Sequence, residues 1–243
     1  MSGANATEGG ARGLRVAGTR ALEAAVIVLS ILIAFGLDAW WDYAKQRTAE
    51  TDHLQALLSD FQETRPGLEA TIAHGERIID HAKLLAAATG TTPPLTGAEM
   101  DARLFELVSL PTFEPVVGAY EELIAAGNLR LITDKELRSA LAGWGANLRS
   151  YATRERWATD QWNLVNAPFL LEQMSLAQLI PGGALGADLA NPYERDHTQL
   201  LQRPYFHNLV IYRWIAAKDV VQSGEQLLRR LDQIVDLIEH ALD

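Results

Sequence analysis

Residues 24–37 read AAVIVLSILIAFGL, fourteen apolar or small residues with Arg12, Arg15 and Arg20 before them and Trp40, Trp41 and Tyr43 after them. How this run is read decides the architecture. A spanning helix needs about 20 apolar residues. Extending the run to Ala21 and Trp41 supplies that length, with Glu23 near one end and Asp38 near the other. Arg20 stands three residues before Glu23, on the same helix face, so the two can pair at headgroup level. Asp38 is followed by Trp40, Trp41 and Tyr43, whose apolar rings and polar edges suit the membrane–water interface. A membrane span over about 21–41 is therefore expected. Two rival readings stay open. One is a cleaved signal peptide, with Ala34-Phe35-Gly36 as a small-x-small cleavage site; the helical periodicity that runs on into Trp40, Ala44 and Arg47 argues against it. The other is a soluble core helix, which a run apolar on every face with interfacial flanks does not resemble.

Outward from the span, the chain of 243 residues is long enough for one good core and contains no cysteine, so disulfides and thiolate metal sites are excluded. The net charge of −10 is uneven, because the residues before the span carry three arginines against Glu8. An acidic domain repels phosphate backbones, so nucleic acid is not an expected partner. The three arginines also put the N-terminus in the cytoplasm and the remainder outside it, in the periplasm of a two-membrane cell, by the positive-inside bias. Residues 1–11 are polar and glycine-rich and are expected to be a disordered tail. Residues 12–41 form the anchor, and 42–243 one helical extramembrane domain.

Leu54, Leu58, Phe61, Leu68, Ile72, Ile79 and Leu85 keep a helical spacing and predict one long helix from about 14 to 88. Pro66-Gly67 interrupts it, predicting a kink near 64–67 or, alternatively, a break into two helices. Thr96 with Glu99 makes a capping box that opens a helix over about 97–109. A further helix over 117–126 ends at Gly127. Thr133 with Glu136 offers a second capping box for a helix of 134–166, closed by Pro168. Short helices and loops fill 168–203, and a last helix runs over 204–242 with an apolar seam through Tyr205, Leu209, Tyr212, Ala216, Val220, Leu227, Leu231, Ile234 and Ile238. No segment alternates apolar and polar residues. The expected fold is all-α: one N-terminal transmembrane helix continuing into an elongated antiparallel helical bundle, with the first and last helices paired.

Two segments carry a family resemblance. Glu23 through Asp42, EAAVIVLSILIAFGLDAWWD, and Ala119 through Leu141, AYEELIAAGNLRLITDKELRSAL, resemble an uncharacterised family of bacterial single-span membrane proteins known only as a domain of unknown function. In that family a glutamate precedes an aliphatic run ending Ile-Leu-Ile-Ala, then polar residues and a tryptophan. Later come Tyr-Glu-x-Leu, a small-residue pair with Gly-x-Leu, and Leu-Arg. Glu23, Ala34 and Trp40 fall on the first pattern; Tyr120, Glu121, Gly127, Leu129, Leu137 and Arg138 fall on the second. Pro66 departs from it, at a position where the resemblance implies an ordinary helix former. The resemblance implies a membrane segment with a helical extramembrane domain, and no activity.

The sharpest chemical constellation is a pair of Glu-x-x-His triplets, Glu50-Thr-Asp-His53 and Glu194-Arg-Asp-His197. Helical bundles that hold two iron or manganese ions use two such motifs with two further glutamates. Six histidines in a glutamate-rich chain also produce such triplets by chance. Glu194 follows Asn191-Pro192 in a loop, and Glu50 and His53 are expected on the polar side of their helix. No metal or cofactor is therefore expected, these four residues being the candidates if there is one. His74 and His81, seven apart with Glu76 and Asp80 nearby, read as a solvated charged stripe. Gly143-Trp144-Gly145 reads as close helix packing. Trp157, Trp162, Phe169, Tyr205, Phe206, Tyr212 and Trp214 read as core, with a ligand pocket near Arg154, Arg156 or Arg213 as the alternative. Candidate contacts with the bilayer or a partner's helix are Arg20, Glu23, Ser30, Ala34, Trp40 and Trp41. Ser30 and Ala34 form a small-residue face.

The expected function is a membrane-anchored, non-enzymatic helical interaction or structural protein, either an accessory subunit of a larger membrane complex or a homo-oligomer. Its partners are the lipid bilayer and other membrane subunits. The alternative is an extracytoplasmic, sensory-type domain that binds a small ligand.

Overall fold

The computed structural model describes residues 8–90, 95–109, 111–180 and 191–243, with side chains from residue 29 onward. The described residues are helical with no strand, so the chain is all-α as expected. The α-helices are α1 (Glu8–Ala88), α2 (Gly97–Val108), α3 (Gly118–Ala125), α4 (Lys135–Gln161), α5 (Ala167–Gln173), α6 (Leu176–Leu179) and α7 (Pro204–Leu242). Two 3-10 turns, Asn128–Leu131 and His197–Gln202, and a π turn, Trp162–Asn166, complete them. By packing, the chain divides into two units, Met1–Asp52 and His53–Asp243.

In the first unit α1 begins at Glu8, inside the stretch read as a disordered tail; an acidic residue at a helix start is favoured by the helix dipole. Residues 1–7 lie outside the described residues, as do the side chains of Arg20 and Glu23, so the pairing expected of those two is not described. Among the described residues no helix is long and apolar enough to cross a membrane. The expected span of 21–41 begins at residues whose side chains lie outside the description. From Leu29 to Tyr43 every large apolar side chain is at least half exposed, from Ile31 at 50% to Phe35 at 68%.

In the second unit α7 is wedged antiparallel against both α1 and α4. Against α1, Gly75 faces Val221, Ile72 faces Gly224, and Arg65 pairs with Asp232 at 2.6 Å, the positions descending on one helix as they ascend on the other. Against α4 and the π turn that follows it, Tyr151 meets Gly224, Arg154 pairs with Asp219, and Trp162 meets Arg213. The close approach depends on glycine: a Cβ at Gly75 would stand 2.5 Å from Val221 Cγ2, and one at Gly224 would stand 2.9 Å from Ile72 Cγ1. One core layer joins Leu57, Phe61 and Leu68 of α1 to Leu141 and Trp144 of α4 and to Leu231 and Ile234 of α7. A second joins Leu85, Met100, Leu104, Leu170, Phe206 and Val210, bringing α2 and α5 onto the other end of α7.

The helix boundaries follow local chemistry, with corrections. α2 opens on the expected capping box, Thr96 Oγ1 accepting from Glu99 N while Glu99 accepts from Thr96 N. Gly127 adopts the left-handed conformation (φ +67°) after α3. The second box does not form: Asp134 is the N-cap of α4, its carboxylate accepting from Leu137 N at 2.7 Å. A carboxylate caps at least as well as a threonine hydroxyl and also meets the helix dipole favourably. Pro168 does not end the helical run. The π turn widens the register just before it, Ala167 N bonding Trp162 O, and the proline then sits in the first turn of α5, where its missing N–H is not needed. Pro66 likewise lies inside an unbroken α1, so the break into two helices does not occur.

Candidate functional site

Three of the four candidate metal ligands have other engagements, and the fourth is exposed. Glu50 is buried rather than on the polar side, because it shares a helical stripe with Leu54, Leu57 and Phe61, and Arg47 bonds it at 3.0 Å. His53 Nε2 accepts from Asn128 Nδ2 at 3.3 Å. Glu194 is exposed in the turn before the second 3-10 segment. His197 is buried and donates from Nδ1 to Asp101 Oδ1 at 2.6 Å, while its Nε2 accepts from Ser175 N at 3.0 Å. No group of three His, Cys, Asp or Glu side chains able to hold a metal ion stands among the described residues.

Asp101, His197 and Ser175 are the residue types of a hydrolase triad, and the imidazole is oriented by a carboxylate as in one. The third link fails. The ring takes the backbone N–H of Ser175, while Ser175 Oγ bonds Asn191 Oδ1 at 2.8 Å, so no base is left to activate the hydroxyl. The network is a clamp. Gln178 extends it, donating to Asp101 Oδ2 and exchanging hydrogen bonds with the Arg195 backbone. It ties α6 and the second 3-10 turn to α2. Nothing local in the sequence announces it, since His197 stands 96 positions from Asp101 and 22 from Ser175.

A second polar assembly holds Ser109 and the irregular segment 111–117 across the three long helices. Arg213 of α7 is 2% exposed and donates to Leu107 O and Ser109 O at 3.2 and 2.6 Å, its guanidinium 5.2 Å from the Trp162 ring. Burial lowers its pKa to about 10, which leaves it cationic at neutral pH. Ser109 Oγ donates to Glu106 O and therefore receives the Nε2 proton of His74, at 2.6 Å. His74 is thus part of a packed contact and not of a solvated stripe, and its pKa is lowered by burial and by the neighbouring Arg77. His81 has a buried Nδ1. Glu155 of α4 accepts from Phe113 N at 2.9 Å, with its pKa raised by burial. Thr64 of α1 exchanges two hydrogen bonds with the Val116 backbone, and Asp60 accepts from Ala119 N at 2.7 Å. Residues 116–119 therefore dock on α1 beside Pro66. Gly145 N donates to Tyr120 Oη, and Trp144 packs on Phe61 at 5.1 Å, so Gly143-Trp144-Gly145 serves packing as read.

The aromatics divide. Trp162 and Phe206 are core, whereas Trp157, Tyr205 and Tyr212 are exposed. Trp157 meets Tyr212 edge-on at 6.2 Å, and Phe169 meets Tyr205 at 4.8 Å. With Val165 and Ile215 the exposed rings line an open groove between α4 and α7. Arg154 is on its rim, bonded to both carboxylate oxygens of Asp219 at 2.7 and 2.8 Å. The cavity beside Arg213 is about 20 Å³ and is lined by Gly75, Glu155, Thr159 and Ala217 among others, room for a single water.

Of the membrane-segment candidates, Ser30, Ala34, Trp40 and Trp41 are exposed, and Lys45 Nζ lies 5.6 Å from the Trp41 ring centre. No family model, curated protein or solved structure matches the chain.

Proposed function

We propose that this chain is a membrane-anchored, non-enzymatic interaction protein. Residues of about 21–41 hold it in a bilayer, and the helical remainder associates with other membrane subunits or with a second copy. The observation that carries this reading is the apolar surface from Leu29 to Tyr43, nine large side chains all at least half exposed. Full burial of one such side chain is worth about 1.5–3 kcal/mol. Nine of them on one helix make contact with water a large penalty and a hydrocarbon surrounding the favoured one. Trp40, Trp41 and Tyr43 at one end suit the interface, and the resemblance carried by Glu23, Ala34 and Trp40 points the same way. Among the described residues the candidate ligands serve packing, which is in keeping with the second half of the proposal: His197 has both ring nitrogens engaged, and Glu50 is bonded by Arg47. The sensory-type alternative draws less support, because the space beside Arg213 fits one water and Arg154 is bonded to Asp219.

Membranes from cells expressing the full chain test the reading. The chain should stay in the pellet through alkaline carbonate and should run in mild detergent, by native mass measurement, as an assembly larger than one copy. Release by carbonate would remove the anchor. A single copy in every mild detergent would remove the interaction role.

A further inference from the structure

The outer side of the α4–α7 pair has no cover among the described residues. One depression between these helices is lined by Ser150, Arg154, Trp157, Ile215 and Asp219, and the next by Val165, Tyr205, Tyr212 and Ile215. Ile215 belongs to both, so the groove is continuous, with volumes of ≈ 620 and ≈ 380 Å³ in its two parts. Towards the other end of the pair the lining turns polar, through Asn147, Ser223 and Gln226. Scattered apolar residues are ordinary on a surface, but a contiguous patch with a polar border marks a contact. Here five such side chains, Trp157, Val165, Tyr205, Tyr212 and Ile215, stand along one groove, each more than a third exposed.

We propose that the occupant of this groove is the same groove of a second copy of the chain, which deepens the interaction role proposed above and rests on it. The charges at the rim favour that occupant. The apolar stretch is bordered by one cation and one anion, Arg154 on α4 and Asp219 on α7, at the same height on antiparallel helices. A two-fold axis parallel to the helices sets α4 of each copy beside α7 of the other. Arg154 keeps its bonds to both carboxylate oxygens of its own Asp219 and then also stands beside Asp219 of the partner subunit. The two ion pairs thus alternate in sign around the axis, while the rings and Ile215 converge between them. An isologous interface must be complementary to itself, and a balanced, opposed pair of charges satisfies that. Two chains of net charge −10 repel over most of their surfaces, so a locally neutral apolar face is where they can meet. The result is a four-helix contact in which every neighbour is antiparallel.

The test uses the full chain in mild detergent, with sedimentation and native mass as readouts. The wild type should be a dimer at micromolar concentration. Ile215→Asp should weaken dimerisation roughly tenfold or more, since it puts a carboxylate in place of a converging apolar side chain. Arg154→Asp and Asp219→Arg should each weaken it as single variants. Mixed in equal amounts, these two should recover dimers composed of one chain of each kind, because the acidic pair of one meets the basic pair of the other. That recovery separates the groove from any misfolding, as a misfolded chain is not restored by another variant. A monomeric wild type, an Ile215→Asp dimer as tight as the wild type, or no recovery on mixing would each overturn the proposal. Carbonate extraction of the same variants keeps the two readings apart: a monomer retained in the membrane sinks self-association alone, and a released chain sinks the anchor.

Discussion

His197 shows how much one side chain can be asked to hold. It has no neighbour in sequence that explains it, yet both ring nitrogens are used, one on α2 and one on the backbone before α6. Replacing it with alanine leaves a cavity, a buried backbone donor at Ser175 without its acceptor and Asp101 Oδ1 without its donor. His197→Ala should cost about 2–4 kcal/mol in denaturant unfolding, while Glu194→Ala, at an exposed position three residues away, should cost next to nothing. Equal effects would mean that the clamp contributes little. His74 makes a pH-dependent contribution of definite sign. Burial and Arg77 hold its pKa below the ordinary 6.5, with Glu106 opposing them. A base whose folded value is lowered contributes stability that is present above the unfolded value and is lost as pH falls through the folded one. The thermal midpoint should therefore drop between about pH 7.5 and pH 5.5, and His74→Gln should flatten that drop. A slope unchanged in the variant would assign it to other groups.

At the scale of elements, glycines decide how closely helices meet, and the sign of a substitution reads that directly. In an exposed helix Gly→Ala is stabilising by about 1 kcal/mol. Gly143 has open space where a Cβ would go, so Gly143→Ala should stabilise by that order. At Gly224 the new atom meets Ile72 Cγ1 at 2.9 Å and Tyr151 Cε2 at 3.5 Å, with helices on both sides, so Gly224→Ala should destabilise by about 1–3 kcal/mol. Urea unfolding of the two variants is the check, and a stabilising Gly224→Ala would show that α1 and α7 are not held so close. These elements were legible to very different degrees. The Thr96–Glu99 box and the Gly127 terminus are short-range patterns and form as the residues predict. The seam of α7 forms through Leu209, Ala216, Leu227, Leu231 and Ile238, while its Tyr205 and Tyr212 lie exposed. Where two caps compete within two positions, as Thr133 and Asp134 do, spacing alone does not choose. A π turn that carries a helix up to a proline has no local signature either. The polar clamp and the contacts of Ser109 and 111–117 join residues tens of positions apart, so they appear only once the helices are packed. Arg213 is the exception: an arginine among Leu209, Val210, Ala216 and Ala217, all buried, is visible as a break in an apolar seam.

For the whole molecule, the proposed anchor turns a charge asymmetry into an orientation. Arg12, Arg15 and Arg20 precede the apolar run and Lys45 and Arg47 follow it. Positive charge close to a span resists translocation, whereas acidic residues contribute little, so the bias favours the N-terminus inside by three against two. The chain contains no cysteine, which makes the test direct. Single cysteines at Ser2 and at Gln222, an exposed position on α7, should divide in intact cells, only the second being labelled by an impermeant thiol reagent. Labelling of Ser2→Cys alone would reverse the orientation, and with it the compartment in which any partner must be sought. A mature chain that begins near Leu37 would replace the anchor by a cleaved signal. The apolar run itself can be titrated separately. An arginine at the centre of a spanning helix costs about 2.5–3.5 kcal/mol of insertion, so Ile33→Arg should shift the chain out of the carbonate-resistant pellet. Ser30→Ala, which keeps a small side chain in the same segment, should leave it there. If both variants stay in the pellet, the segment is held by something other than hydrocarbon. The exposed side chains from Leu29 to Tyr43 would then have to be covered by another protein's helix.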